Sequence, residues 1–177
     1  MKYSISKDAR LFSKALDLDD ETQLFCDIGR HGWSDLIVAS KGNLRSFRVS
    51  DVFTDFPAAL LEICRFAIEN SALRIALYDE PGGAVCTLEP DKKQQHTMVL
   101  SIFEVDGTGV ETQGKQVFAL RIRRQRLVGM LMAELWKAHV SLQQPSYQKG
   151  RSSFPHKQLV ALNKAWDLSE LGPSFLK

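Results

Sequence analysis

The chain has 177 residues, 44% hydrophobic and 25% charged, with three cysteines and a formal net charge of +2. A domain of this length buries enough apolar surface to stand without disulfides or a structural metal. No apolar stretch, that at Val128 to Ala133 included, approaches the roughly 20 residues a membrane-spanning helix needs. The first ten residues lack the apolar centre of a secretory signal, and Cys26, Cys64 and Cys86 sit in apolar segments, so a reduced, cytoplasmic protein is expected, with no membrane partner.

In the polar segment 1–22, Ala9, Phe12, Ala15 and Leu16 have the spacing of a short helix, and Asp17, Asp19, Asp20 and Glu21 form an acidic cluster. Three strands are expected next, at 23–28, 36–40 and 44–49, with Lys41-Gly42-Asn43 as a turn. Their links are too short for crossover helices, so they form an antiparallel meander. Thr54 or Asp55 can cap a helix over 56–69 whose first turn holds Pro57, where a missing N–H costs nothing. Leu60, Leu61, Cys64, Ala67 and Ile68 give it one apolar face.

Strands at 73–78, 84–88, 97–105 and 116–123 follow, the first two joined by Glu80-Pro81-Gly82-Gly83. A helix over 126–142 should bury Val128, Leu131, Met132, Leu135, Trp136, His139 and Val140. A loop, 143–155, leads to a C-terminal helix, 156–168, with Leu159, Leu162, Ala165 and Trp166 apolar. The expected fold is a single α+β domain: a mostly antiparallel sheet of six to seven strands covered on one face by two main helices, with the C-terminal helix added.

The search for chemistry is mostly negative. His31, His96, His139 and His156 show no helical metal-site spacing, and no cysteine pair has CxxC spacing. Gly32-Trp33-Ser34-Asp35 lacks the second glycine of a nucleophile elbow, and Gly107-Thr108-Gly109 lacks the lysine of a phosphate loop. No cofactor, metal or turnover is therefore expected. One enzymatic combination remains: His31 with the basic residues of the last strand, for phosphodiester cleavage. Its alternative is a plain hairpin tip, Gly29 to Gly32.

Charge is the strongest feature. Residues 1–114 carry 12 cationic and 18 anionic side chains, net −6, and residues 115–177 carry 11 and 3, net +8. Such a split means either that the halves neutralise one another or that one surface is acidic and another basic. Arg121, Arg123, Arg124 and Arg126 could grip phosphates or an acidic surface, or form a solvated face paired with Glu89, Glu104 or Glu111.

Two stretches, Val49 to Glu62 and Tyr78-Asp79-Glu80-Pro81-Gly82, resemble small bacterial proteins. Some of those are similar to cytoplasmic immunity proteins of polymorphic-toxin and contact-dependent growth-inhibition systems. That resemblance implies a non-enzymatic inhibitor that blocks the active site of a cognate toxin, often a nuclease. No family residue is carried over. On charge logic, acidic side chains would meet the toxin's basic cleft: Asp79 and Glu80 first, then Asp19, Asp20 and Glu21. The alternative is a sheet-based binder of single-stranded nucleic acid that uses Arg121, Arg123, Arg124 and Arg126.

Overall fold

Lys41 and Gly42 both have positive φ, 48° and 76°, the backbone of a two-residue type I′ hairpin turn. They join β2, Trp33–Ser40, to β3, Asn43–Ser50, and β1, Gln23–Ile28, pairs with the other edge of β2. The computed structural model describes residues 16, 18–106 and 114–172, so the proposed N-terminal helix and Asp17 lie outside the described residues. β2 starts at Trp33, three residues before the expected strand, because Trp33 and Ser34 continue the ladder opposite Ser50 and Val49.

α1, Phe56–Glu69, begins where Asp55 caps it, its carboxylate accepting the Ala58 N–H at 3.1 Å. Thr54, the other candidate cap, instead accepts the Tyr78 N–H at 3.2 Å and thereby ties this turn to β4, Leu73–Asp79. Asn70, at φ 52° and ψ 45°, ends the helix in the left-handed conformation that short polar residues tolerate. β5, Gly82–Pro90, β6, Thr97–Val105, and β7, Lys115–Arg123, complete a four-stranded antiparallel sheet in the order β4-β5-β6-β7. A register shift between Ile102 and Phe103 lets β7 carry one extra residue, Val117.

The strands therefore form two sheets, of three and four strands, rather than the one expected. β3 lies against β4, but no ladder joins them. The expected layering holds in outline. α1 packs on β4 and β5, and α2, Arg124–Ser141, packs on α1, β1 and β7. One core includes Phe47, Leu60, Cys64, Leu88, Ile102, Leu131 and Leu135, so both sheets and both main helices share it.

α2 also seals the free edge of β1. Arg126 donates to the Thr22 carbonyl at 2.8 Å, and Glu134 accepts the Cys26 N–H at 2.7 Å. Eight helical residues rise about 12 Å and four extended residues span about 13 Å, so the two contacts keep step. A covered edge cannot recruit a foreign strand at those positions.

Two details of α2 depart from expectation. Trp136 is 38% exposed and Val140 is 68% exposed, so neither belongs to the buried stripe. The buried line runs through Leu131, Leu135, Ala138 and Leu142 instead. The expected loop 143–155 contains a short helix, α3, Pro145–Gln148, before α4, His156–Leu168, which buries Leu159 and Leu162.

Candidate protein-binding site

The acidic candidates separate into two groups. Gly83 pairs with Val105 at one end of the four-stranded sheet, and Pro90 pairs with Met98 at the other. Seven strand residues span about 23 Å. The Asp79–Gly82 turn lies at the first end. Asp19 lies at the second, its N–H on the Arg121 carbonyl at 2.9 Å.

At the second end the charges are spent on the fold. Asp19 is only 4% exposed and is turned inward, which removes it from the expected partner-binding set. Its carboxylate accepts the Glu21 and Thr22 N–H groups at 3.0 and 2.9 Å and the Ser40 hydroxyl. Burial alone would raise its pKa, but these hydrogen bonds outweigh it and hold the carboxyl below the ordinary aspartate value. Asp20 pairs with Arg123 at 3.3 Å, and Glu21 is exposed.

The four arginines are likewise engaged. Arg121 pairs with Asp91 at 2.9 Å. The Lys93 N–H, the Thr97 hydroxyl and this guanidinium hold the Asp91 carboxyl below its usual value against the opposing effect of burial. Arg124 donates to the Ala67, Ile68 and Gln95 carbonyls at 2.7, 2.6 and 3.0 Å, capping the last turn of α1. Arg126 is the brace on Thr22 described above. Of the four, Arg123 alone is exposed, and it faces Asp20. The ion pairs Arg121–Asp91, Arg123–Asp20 and Arg151–Asp51 join the basic half of the chain to the acidic half, so part of the charge split is neutralised inside the fold.

The first end is different. Asp79 accepts the Glu80 N–H at 2.7 Å, and Glu80 projects into solvent. Gly82 and Gly83, at φ 100° and 138°, close the turn. A Cβ on Gly82 would come within 2.4 Å of the Val105 carbonyl oxygen, so only glycine lets β6 approach this closely. The turn is therefore backed by packed strands. Val52 and Phe53, 79% and 45% exposed, lie in the β3–α1 turn, whose next residue, Thr54, accepts the Tyr78 N–H one residue before Asp79.

His31, at φ 58° in the exposed β1–β2 turn, lies at the Trp33 end of its sheet, whereas Arg121 lies near Ser40 at the other. The structure does not bring these two parts of the phosphodiester combination together. His139 stacks on His156 at 4.6 Å between centroids and lies beside Phe154. Cys26, Cys64 and Cys86 are buried, and burial drives the thiol pKa values up, that of Cys86 to about 12, which disfavours thiolate chemistry. Among the described residues no group of three or more His, Cys, Asp or Glu side chains could hold a metal ion, and no helix is long and apolar enough to cross a membrane.

Val52 and Phe53 lie within the stretch Val49 to Glu62, but nothing in that stretch foretells their exposure. Arg151, buried against Asp51, carries no local signal at all in its Gly-Arg-Ser-Ser setting. No family model matches the chain, and no curated protein and no solved structure matches it.

Proposed function

We propose that this chain is a cytoplasmic, non-enzymatic immunity protein that binds a cognate bacterial toxin, a nuclease, and blocks its active site. The observation that carries this reading is the acidic Asp79–Glu80 turn, solvent-facing at Glu80 and tied at Tyr78 to the β3–α1 turn, where Val52 and Phe53 are exposed. A nuclease cleft is basic because it binds phosphate, so an acidic projection complements it. The turn is held by Gly82, Gly83 and packed strands, so docking would cost little backbone entropy. The nucleic-acid alternative draws no comparable support, because Arg121, Arg124 and Arg126 are engaged inside the fold.

The test is titration of the toxic domain encoded directly upstream with wild-type chain, with Glu80→Lys and with Asp79→Lys/Glu80→Lys. Each variant should fold as the wild type does, read by circular dichroism. Reversing the charges should weaken the double variant's Kd by at least about 30-fold, equivalent to roughly 2 kcal/mol. Unchanged affinity in both variants would take this turn out of the interface. A wild-type chain that ignores the upstream domain but binds single-stranded RNA through Arg121 and Arg123 would replace the reading with its alternative.

A further inference from the structure

An antiparallel sheet with one face on the core normally alternates apolar residues inward with polar residues outward. β1 and β2 break that rule. Leu24, Cys26, Ile28, Leu36 and Val38 face the core, yet the alternating positions on the other face hold Phe25, 42% exposed, Trp33, 38% exposed, and Ile37. Phe25 pairs with Ile37 in register, and Asp27 pairs with Asp35 in the next outward row.

Asp27 opposite Asp35 is an unfavourable like-charge pair. Asp35 is relieved by Arg48 at 3.7 Å and by the Ser46 hydroxyl at 3.0 Å. Asp27 is exposed and has no hydrogen bond or ion pair from its side chain among the described residues. Beside it, a groove of about 330 Å³ runs between β1 and α2, lined by Phe25, Asp27, Ile37, Lys137, Ser141 and Tyr147. The Lys137 ammonium is already paired with Glu134. Arg30 is likewise engaged, over the Tyr147 ring at 5.7 Å.

We propose that this groove takes up an arginine side chain of a basic partner protein, with Asp27 as its carboxylate and Phe25 and Ile37 as its apolar walls. Arginine fits better than lysine: its guanidinium is planar, weakly hydrated, stacks on aromatic faces and meets a carboxylate through two donors. The groove lies at the small end of the range for ligand sites, about 300–1,000 Å³, which suits one long side chain. The inference rests on the reading of the chain as a protein-binding protein, and it places a second contact away from the Asp79–Glu80 turn.

Two measurements test it separately from that reading. In the first, the isotope-labelled full chain is titrated with acetyl-Gly-Arg-Gly-amide and with the same peptide carrying neutral citrulline for arginine. Saturable amide shifts centred on Phe25, Asp27 and Ile37 are expected with the arginine peptide, at least fivefold smaller with the citrulline peptide, and lost in Asp27→Asn. Equal shifts with both peptides, shifts centred elsewhere, or an unaffected Asp27→Asn variant would overturn the inference. In the second, Phe25→Ala/Asp27→Asn is titrated against the upstream-encoded toxic domain, with an expected loss of affinity of at least tenfold. Unchanged affinity overturns the groove as a partner site and leaves the immunity reading intact. A wild-type chain that does not bind that domain removes the immunity reading, and the peptide titration still decides the groove.

Discussion

Replacing Arg151 with methionine is expected to cost about 3–5 kcal/mol of stability, because it leaves a buried carboxylate without its partner. The side chains of Arg151 and Asp51 are 2% and 3% exposed, so water cannot take over the lost contact. Besides Asp51, the guanidinium donates to the Ser34 hydroxyl at 2.9 Å, the Gly29 carbonyl at 3.0 Å, the Tyr147 carbonyl at 3.0 Å and the Trp33 carbonyl. One side chain thus ties the segment after α3 to the β1–β2 turn and the β3–α1 turn. Asp51 in turn accepts the Phe56 N–H at 3.1 Å, at the first residue of α1. For a protein of this size the loss corresponds to a fall in Tm of roughly 6–20 °C. Urea denaturation of Arg151→Met, Asp51→Asn and the double variant checks it. The double variant should lose clearly less than the sum of the two singles, because the second substitution removes the unpaired charge left by the first. A loss below 1 kcal/mol in Arg151→Met would show that the network is not a brace.

Truncating Leu135 to alanine is expected to cost about 2–5 kcal/mol, from lost burial and the cavity left behind. Leu135 is fully buried in the core shared by α1, α2 and both sheets. The same truncation at Val140, which is 68% exposed on the same helix, should change stability by less than about 0.5 kcal/mol. The contrast, read by chemical denaturation of both variants, tests the orientation of α2. Similar losses at the two sites would place the helix differently on the sheets.

Local signals were enough for much of the fold. Alternation located β1 and β3 to within a residue, and the pairing of Asp55 with Pro57 located the start of α1, because caps and pleats are set by near neighbours. What failed depended on distant contacts. A stripe at 3–4 residue spacing is compatible with two neighbouring lines on a helix, and sequence alone placed Trp136 and Val140 in the buried one. Leu131 and Leu135 are buried as expected, but the line continues through Ala138 and Leu142, on the same side of the helix, rather than through Trp136 and Val140 on the other. The division into two sheets was hidden for the same reason. Nothing near Ser50 or Leu73 says that the Thr54 hydroxyl, rather than a strand, meets the edge of β4 at Tyr78.

The candidate site shows the same limit. The Asp79–Glu80 turn was visible because Pro81 and Gly82 punctuate the chain. Asp19 carries the same charge and sits in an equally polar segment, yet folds inward onto Ser40 and its own backbone. The arginine cluster was legible as charge, but its partners, Asp91, Asp20, Thr22 and the end of α1, are scattered through the sequence. Phe25 and Asp27 became candidates only when the register set them beside Ile37 and Asp35 on an open face.

The most direct test of the proposed function is an activity titration. The toxic domain that the proposal places directly upstream is held at micromolar or higher concentration, on the order of what makes binding stoichiometric for a tight complex, and its nucleic-acid cleavage is followed as the purified chain is added. The account predicts a linear fall to zero at one equivalent of chain, with no recovery when more substrate is supplied. Cleavage that continues unchanged past several equivalents, with the chain folded throughout, would contradict it.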